Sequence, residues 1–315
     1  MSTVKFPSDR SVSRRSFLCA GALGLGAVMI RRGLAAEAPR RPTRFQIACM
    51  TLPYAAFSLE RALSGIRAAG YRYVAWGTTH QESGGSSVPV MPPDAPPERA
   101  RELAKRCRAL GLEPLMMFSM VYPEAPDALP ILTNRIKQAA AAGIPQVLTF
   151  GHTQGGSRQV WIERFKTLGP MARDQGVTMV VKQHGGSTGT GKACAEIIRD
   201  VNDPGVMVNY DAGNVMDYLQ VDPIPDIATC AAEVRSFCIK DHRNWPKSQD
   251  CGPGFGEIDH YRLLNPVAFT GLKMPLCCEN LFAPLVPRPT EPEGVDALAR
   301  RAREFLELVI QGLHA

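Results

Sequence analysis

The sequence predicts an α/β protein, a (β/α)8 TIM barrel in a single domain behind an N-terminal signal segment. Three observations carry that prediction. Apolar runs of strand length alternate, eight times over, with segments of helical periodicity. The unit repeats roughly every 30 residues, in the size range of a closed parallel barrel. The strand candidates are continuously apolar rather than alternating, which suits strands covered on both faces.

Phe45–Thr51 (FQIACMT) is the first strand candidate, and Ser58–Ala69 follows with Leu59, Leu63 and Ile66 at helical spacing. Tyr71–Gly77 precedes a helix at Pro97–Leu110, Leu112–Met120 precedes Ala128–Ala142, and Ile144–Phe150 precedes a helix near 159–175. Val177–Gln183 leads to Gly191–Val201, and Val206–Asp211 to a helix near 224–233. Val234–Asp241 runs into a long loop and a short helix near Tyr261; Lys273–Glu279 is the last strand and Val295–Leu313 the last helix. The Pro-rich stretches Val88–Pro97 and Pro284–Pro292 read as loops within the barrel. An open doubly wound sheet would show fewer units, and no G-x-G-x-x-G follows the first strand, so the dinucleotide-binding reading is poor. The barrel domain is placed at residues 44–313.

Residues 1–38 read as a twin-arginine-type signal. Ser13-Arg14-Arg15-Ser16-Phe17-Leu18 carries the motif, Leu18–Ile30 is the apolar run, and Ala35, Ala36 and Ala38 surround a cleavage site. The run is too short to span a bilayer, which needs about 20 apolar residues. The expectation is export to the periplasm by the twin-arginine machinery, which carries folded proteins. This segment holds six basic and two acidic residues, so it accounts for +4 of the net charge of +6. The nearly neutral remainder gives no electrostatic case for nucleic acid or an anionic membrane. The nine cysteines fit no zinc spacing and no disulfide framework; at most one disulfide is expected, and Cys251 is the one expected to be exposed.

Barrels of this kind place their chemistry at the C-terminal ends of the strands. His80, His152, His184 and His242 each follow a predicted strand, and His260 lies in the loop after the seventh. Strand 5 ends Lys182-Gln183-His184, strand 6 Asp211-Ala212-Gly213-Asn214, strand 7 Lys240-Asp241-His242 and strand 8 Glu279-Asn280. Charged side chains are rarely buried without a partner, so apolar strands that deliver them to one rim point to a polar pocket. Trp76 and Phe118 end strands 2 and 3, as core residues or as platforms for a sugar ring.

The order of these strand ends resembles the xylose-isomerase-like family of sugar phosphate isomerases and ketose epimerases. Asp211–Asn214 (DAGN) is similar to its D-x-G-[HN], Cys238–Asp241 (CIKD) to its H-x-K-D, and Gly254–Asp259 (GFGEID) to its G-x-G-x-[IV]-D, with Glu279 at the strand 8 glutamate. The resemblance implies a divalent metal held by a strand 5 glutamate, a strand 6 aspartate, a strand 7 histidine and a strand 8 glutamate. It also implies that the two glutamates move a proton beside a carbonyl.

Two positions depart from that pattern: Lys182 replaces the strand 5 glutamate and Cys238 the strand 7 histidine. Two arrangements stay open. In one, Mn, Zn or Fe is held by Asp211 and Glu279, with His184 or His242 completing the shell. In the other there is no metal, and Lys182 is a fixed positive charge or a base of lowered pKa. Lys182, Glu279 and His184 are the expected catalytic groups; His152, Asn214, Lys240 and His242 are the expected substrate contacts. The expected function is isomerisation or epimerisation of a carbohydrate or polyol. The alternatives are a lyase or hydrolase on 3-keto-glycosides, and a non-catalytic periplasmic sugar-binding barrel. An endonuclease would need a histidine-rich metal shell and a basic face, and the chain shows neither.

Overall fold

Each strand pairs with its neighbour in sequence, so eight apolar runs close into one parallel cylinder. The computed structural model describes residues 41–315 apart from Ser83. The strands are β1 (Arg44–Met50), β2 (Tyr73–Trp76), β3 (Glu113–Phe118), β4 (Gln146–Phe150), β5 (Thr178–Lys182), β6 (Val206–Tyr210), β7 (Val234–Ile239) and β8 (Lys273–Cys278). β8 pairs back onto β1 from Arg44 opposite Lys273 to Cys49 opposite Cys278, which closes the barrel. The outer layer is α1 (Leu59–Ala68), α2 (Pro97–Ala109), α3 (Ala128–Ala142), α4 (Arg158–Asp174), α5 (Gly191–Val201), α6 (Ala212–Leu219), α7 (Pro223–Ala228), α8 (His260–Leu264) and α9 (Pro292–His314). The predicted signal segment, residues 1–38, lies outside the described residues.

The α/β barrel reading therefore holds, with three local differences. The helix expected near 224–233 is the shorter α7, Pro223–Ala228, and an unexpected helix, α6, precedes it. α6 starts immediately after β6 because Asp211 caps it, its side chain accepting the Asn214 N–H at 3.0 Å. The long loop after β7 contains an antiparallel hairpin, Asp241–Arg243 against Gln249–Cys251. The stretch after β2 likewise forms a hairpin, Thr79–Gln81 against Ser87–Pro89.

Alternation along the strands decides which side chains enter the cylinder. Ala48, Leu148, Val180, Cys238 and Cys277 pack together in its interior, while their neighbours pack under the helices. Counting two residues onward from Val180, Cys238 and Cys277 reaches Lys182, Lys240 and Glu279. The same parity that fills the core with apolar groups thus aims these charges into the mouth. The eight cysteines of the described residues are buried free thiols. Cys251, expected to be exposed, is buried because its hairpin strand packs inward opposite Asp241.

Asp241 organises the loop that frames the mouth. Fully buried, it accepts N–H groups from His242 at 2.9 Å, Gly254 at 3.0 Å and Ile258 at 3.0 Å. Gly254 takes a φ of +77°, which a side chain would strain. The GFGEID motif is thus a turn wound around a carboxylate, and Glu257 serves it by accepting the N–H groups of Asn244 and Trp245. Asp241→Ala leaves three buried donors unpaired and is expected to cost roughly 2–4 kcal/mol in urea unfolding. A loss under about 0.5 kcal/mol, the range of neutral surface changes, would refute this account.

Candidate active site

Four strands converge on one buried cluster of opposite charges. Lys182 Nζ, at the end of β5, donates to Glu279 Oε1 at 2.7 Å and lies 3.4 Å from Asp211 Oδ2. Lys240 Nζ lies 3.5 Å from Asp211 Oδ2, 3.5 Å from Glu279 Oε2 and 3.2 Å from Asp250 Oδ2. The side chains of Lys182 and Asp211 are 3% and 0% exposed, so these charges rely on each other rather than on water. Asn214 accepts a hydrogen bond from Lys240 and donates to the Gln183 carbonyl at 2.6 Å. Gly213 leaves room for the Lys240 stem; a Cβ there would sit 2.6 Å from Lys240 Cγ.

The charges settle each other's protonation. Burial works against the ammonium of Lys182, but the carboxylates of Glu279 and Asp211 outweigh it and raise its pKa above the ordinary lysine value. Burial likewise opposes Lys240, and Asp211, Glu279 and Asp250 raise it well above that value. Lys182 is therefore a lasting cation, and its reading as a base of lowered pKa is overturned by the carboxylates around it. Burial pushes Asp211 up to about 6 against the pull of Lys240 and Lys182. Burial acts the same way on Glu279, but the two ammonium groups prevail and hold it below the glutamate range. The difference follows the geometry, because Glu279 receives the short bond from Lys182.

His184 stands beside this cluster as a neutral imidazole. Burial and the Lys182 charge pull its pKa down to about 4. Its Nδ1 lies 2.8 Å from the Gly151 carbonyl, which can only accept, so Nδ1 carries the hydrogen and Nε2 the lone pair. Tyr218 OH lies 3.5 Å from Nε2. Phe150 packs on the same ring with centroids 4.6 Å apart, and Lys182 Nζ lies 5.3 Å from the Phe150 centroid.

The other predicted residues spread around this centre. His242 bonds through Nδ1 to Asp250 Oδ1 at 2.8 Å and through Nε2 to Ser248 Oγ at 3.2 Å, entirely buried. Burial opposes its proton, yet Asp250 outweighs that and raises its pKa. It reaches the cluster through Asp250. His152 packs on Tyr122 with centroids 4.1 Å apart, exposed on the rim and away from the carboxylates. His80, in the hairpin after β2, and His260, the first residue of α8, are buried and bonded to the carbonyls of Phe57 and Ile258. Trp76 is barrel core, and Phe118 is buried 5.9 Å below Lys182 Nζ.

Sequence reasoning missed Asp250, which the hairpin register sets opposite His242. It also missed Gln183, whose Oε1 accepts the Asp211 N–H at 2.8 Å. Tyr122, Phe150 and Tyr218 carried no signal beyond their aromaticity. The opening over the cluster has a volume of about 200 Å³, lined by Lys240, Asp250, Glu279, Asn280, Phe282 and Arg288 among others.

Side chains able to hold a metal do converge: donor atoms of Asp211, Cys238 and Glu279 lie within 4.8 Å of one another. The expected set of Asp211, Glu279 and His184 does not form such a group, since His184 is turned to Gly151. A divalent ion does not fit among the donors with Lys182 in place, because its ammonium already sits 2.7 Å and 3.4 Å from the two carboxylates.

A parallel eight-stranded barrel with a charged cluster at the C-terminal mouth defines the class. The chain belongs to the xylose isomerase-like TIM barrel family, whose model matches residues 63–306. No sequence among curated proteins matches significantly. Among solved structures, an L-ribulose 3-epimerase is similar at TM-score 0.65 and 19% identity, over 85% of this chain and 95% of that one. A D-psicose 3-epimerase determined in the presence of D-fructose is similar at 0.62 and 12%, over 84% and 99%. A xylose isomerase-like TIM barrel protein from Mycobacterium smegmatis in complex with magnesium is similar at 0.65 and 17%, over 87% and 98%. At these identities the likeness is one of fold.

His184 yields a direct test. An ordinary histidine titrates near 6.5. Between about 4 and that value the folded state binds fewer protons here than the unfolded chain. The His184 contribution to stability thus grows as pH rises through this window and is lost below it. The imidazole C2 proton of His184 is expected to titrate near pH 4 by NMR, and Lys182→Met to move the midpoint up. A midpoint near 6.5 in the wild type would contradict the geometry.

Proposed function

We propose that this protein is an enzyme that moves a proton on and off a carbon beside a carbonyl group of a carbohydrate, with isomerisation or epimerisation as its outcome. The observation that carries this reading is the pair of buried ammonium groups held against Asp211 and Glu279, next to a neutral histidine. The His184 Nε2 lone pair takes the proton from carbon, and the electron pair of that bond moves onto the carbonyl oxygen. The oxyanion that forms lies against Lys240, which lines the opening. Lys182, beneath it, holds Glu279 in place. Return of a proton to the opposite face of that carbon gives the epimer. If the neighbouring hydroxyl gives up its proton, the oxyanion takes one and the former carbonyl carbon is protonated instead, the product is the isomer. Charges fixed in place by their partners suit such a developing oxyanion, because they need no reorganisation as it forms.

A second reading draws on the rim. Tyr122 packs on His152 and Tyr218 on His184, aromatic faces of the kind on which a second sugar ring stacks. With a glycosidic oxygen β to the carbonyl, the same oxyanion expels that substituent, as in a lyase acting on a 3-keto-glycoside.

Incubation with keto-sugars and 3-keto-glycosides in D₂O separates the readings. Deuterium at the carbon beside the carbonyl supports proton transfer, and release of the second ring identifies elimination. Lys240→Met is expected to slow exchange by about 10²–10³-fold, the usual loss for one oxyanion partner. Exchange that is absent across the panel, or unchanged in Lys240→Met, would defeat the proposal.

Export to the periplasm by the twin-arginine route belongs to the same proposal and rests on Arg14 and Arg15. Replacing both by lysine is expected to shift the protein to the cytoplasmic fraction. Equal distribution of wild type and variant would refute that.

A further inference from the structure

We propose that the Lys182 ammonium is a built-in replacement for a divalent cation, and that the site becomes a metal site when this one residue is exchanged for a carboxylate. Three observations support it. Donor atoms of Asp211, Cys238 and Glu279 converge within 4.8 Å from three separate strand ends. Lys182 Nζ sits among them, bonded to Glu279 and 3.4 Å from Asp211 Oδ2. Asp211 Oδ2 and Glu279 Oε2 are buried and accept no aligned hydrogen bond, although the two carboxylates approach within 4.8 Å of each other and repel, so the ammonium groups alone offset their charge. Such oxygens are costly to bury unless a cation lies nearby, and the lysine supplies one from within the chain.

Removing Lys182 therefore leaves a vacancy ringed by two carboxylates and a thiol. Lys182→Glu deletes the ammonium and brings a third carboxylate from β5, which completes a four-donor set of oxygen and sulfur. Zinc takes four ligands of these types. Lys240 stays within reach of the same oxygens and weakens the new site without occupying its centre.

The test reads metal binding rather than turnover. Absence of exchange in D₂O would defeat the proposed reaction and leave this assignment standing. The full chain is dialysed with ZnCl₂, then with buffer; its metal content is measured and its melting temperature followed with and without zinc. The wild type is expected to keep no stoichiometric zinc and to melt unchanged. Lys182→Glu is expected to keep about one equivalent, as a single site requires, and to melt several degrees higher with zinc. Stoichiometric zinc in the wild type, or a folded Lys182→Glu that keeps none, overturns the proposal. If Lys182→Glu does not fold, Lys182→Gln decides. A zinc-dependent rise in its melting temperature with none in the wild type supports the proposal, and a rise in both or in neither overturns it.

Discussion

The mouth of this barrel depends on mutual neutralisation of charges that are largely withdrawn from water. Lys182, Lys240, Asp211 and Glu279 are each costly to bury alone, and removing one partner of such a group strands the rest. That constraint explains why neighbouring parts are so closely specified. Asp250 returns on its hairpin to meet Lys240, Asn214 meets it from α6, and Gln183 braces the backbone beneath Asp211.

Strand parity turns this constraint into a fold-level rule. Inside the cylinder the same sequence positions alternate between apolar packing and, one step further, charge. Val180 leads to Lys182, Cys238 to Lys240 and Cys277 to Glu279, so the apolar core carries the cluster on its upper layer. A residue inserted in any of these strands would swing its charge into the helix layer, where nothing neutralises it.

The barrel was legible because continuous apolar runs and helical periods are local signals. All eight strands appear where those runs lie, their ends shifted by at most two residues. The charges at the strand ends were legible for the same reason. What escaped was pairing across loops. Asp250 read as part of an irregular segment because its partner His242 is set by hairpin register, which no local pattern announces. α6 escaped although Asp211 is an N-cap residue, since the D-A-G-N segment was read for its chemistry and not as a helix start. The histidines after the strands were legible as a group, yet only the folded chain separates His184, just after β5, from His80 in a hairpin and His260 at the start of α8. The fate of Lys182 needed distances, because a lysine beside two carboxylates is a cation and a lysine in an apolar pocket is a base.

Gly213 has a consequence beyond backbone freedom. The Lys240 stem lies across its bare Cα, in a space that even a methyl group would fill. Position 213 therefore works as a steric rheostat for the electric field of the mouth. Enlarging it would move a whole unit of charge away from Asp211, Glu279 and Asp250 while leaving the chain's formal charge untouched.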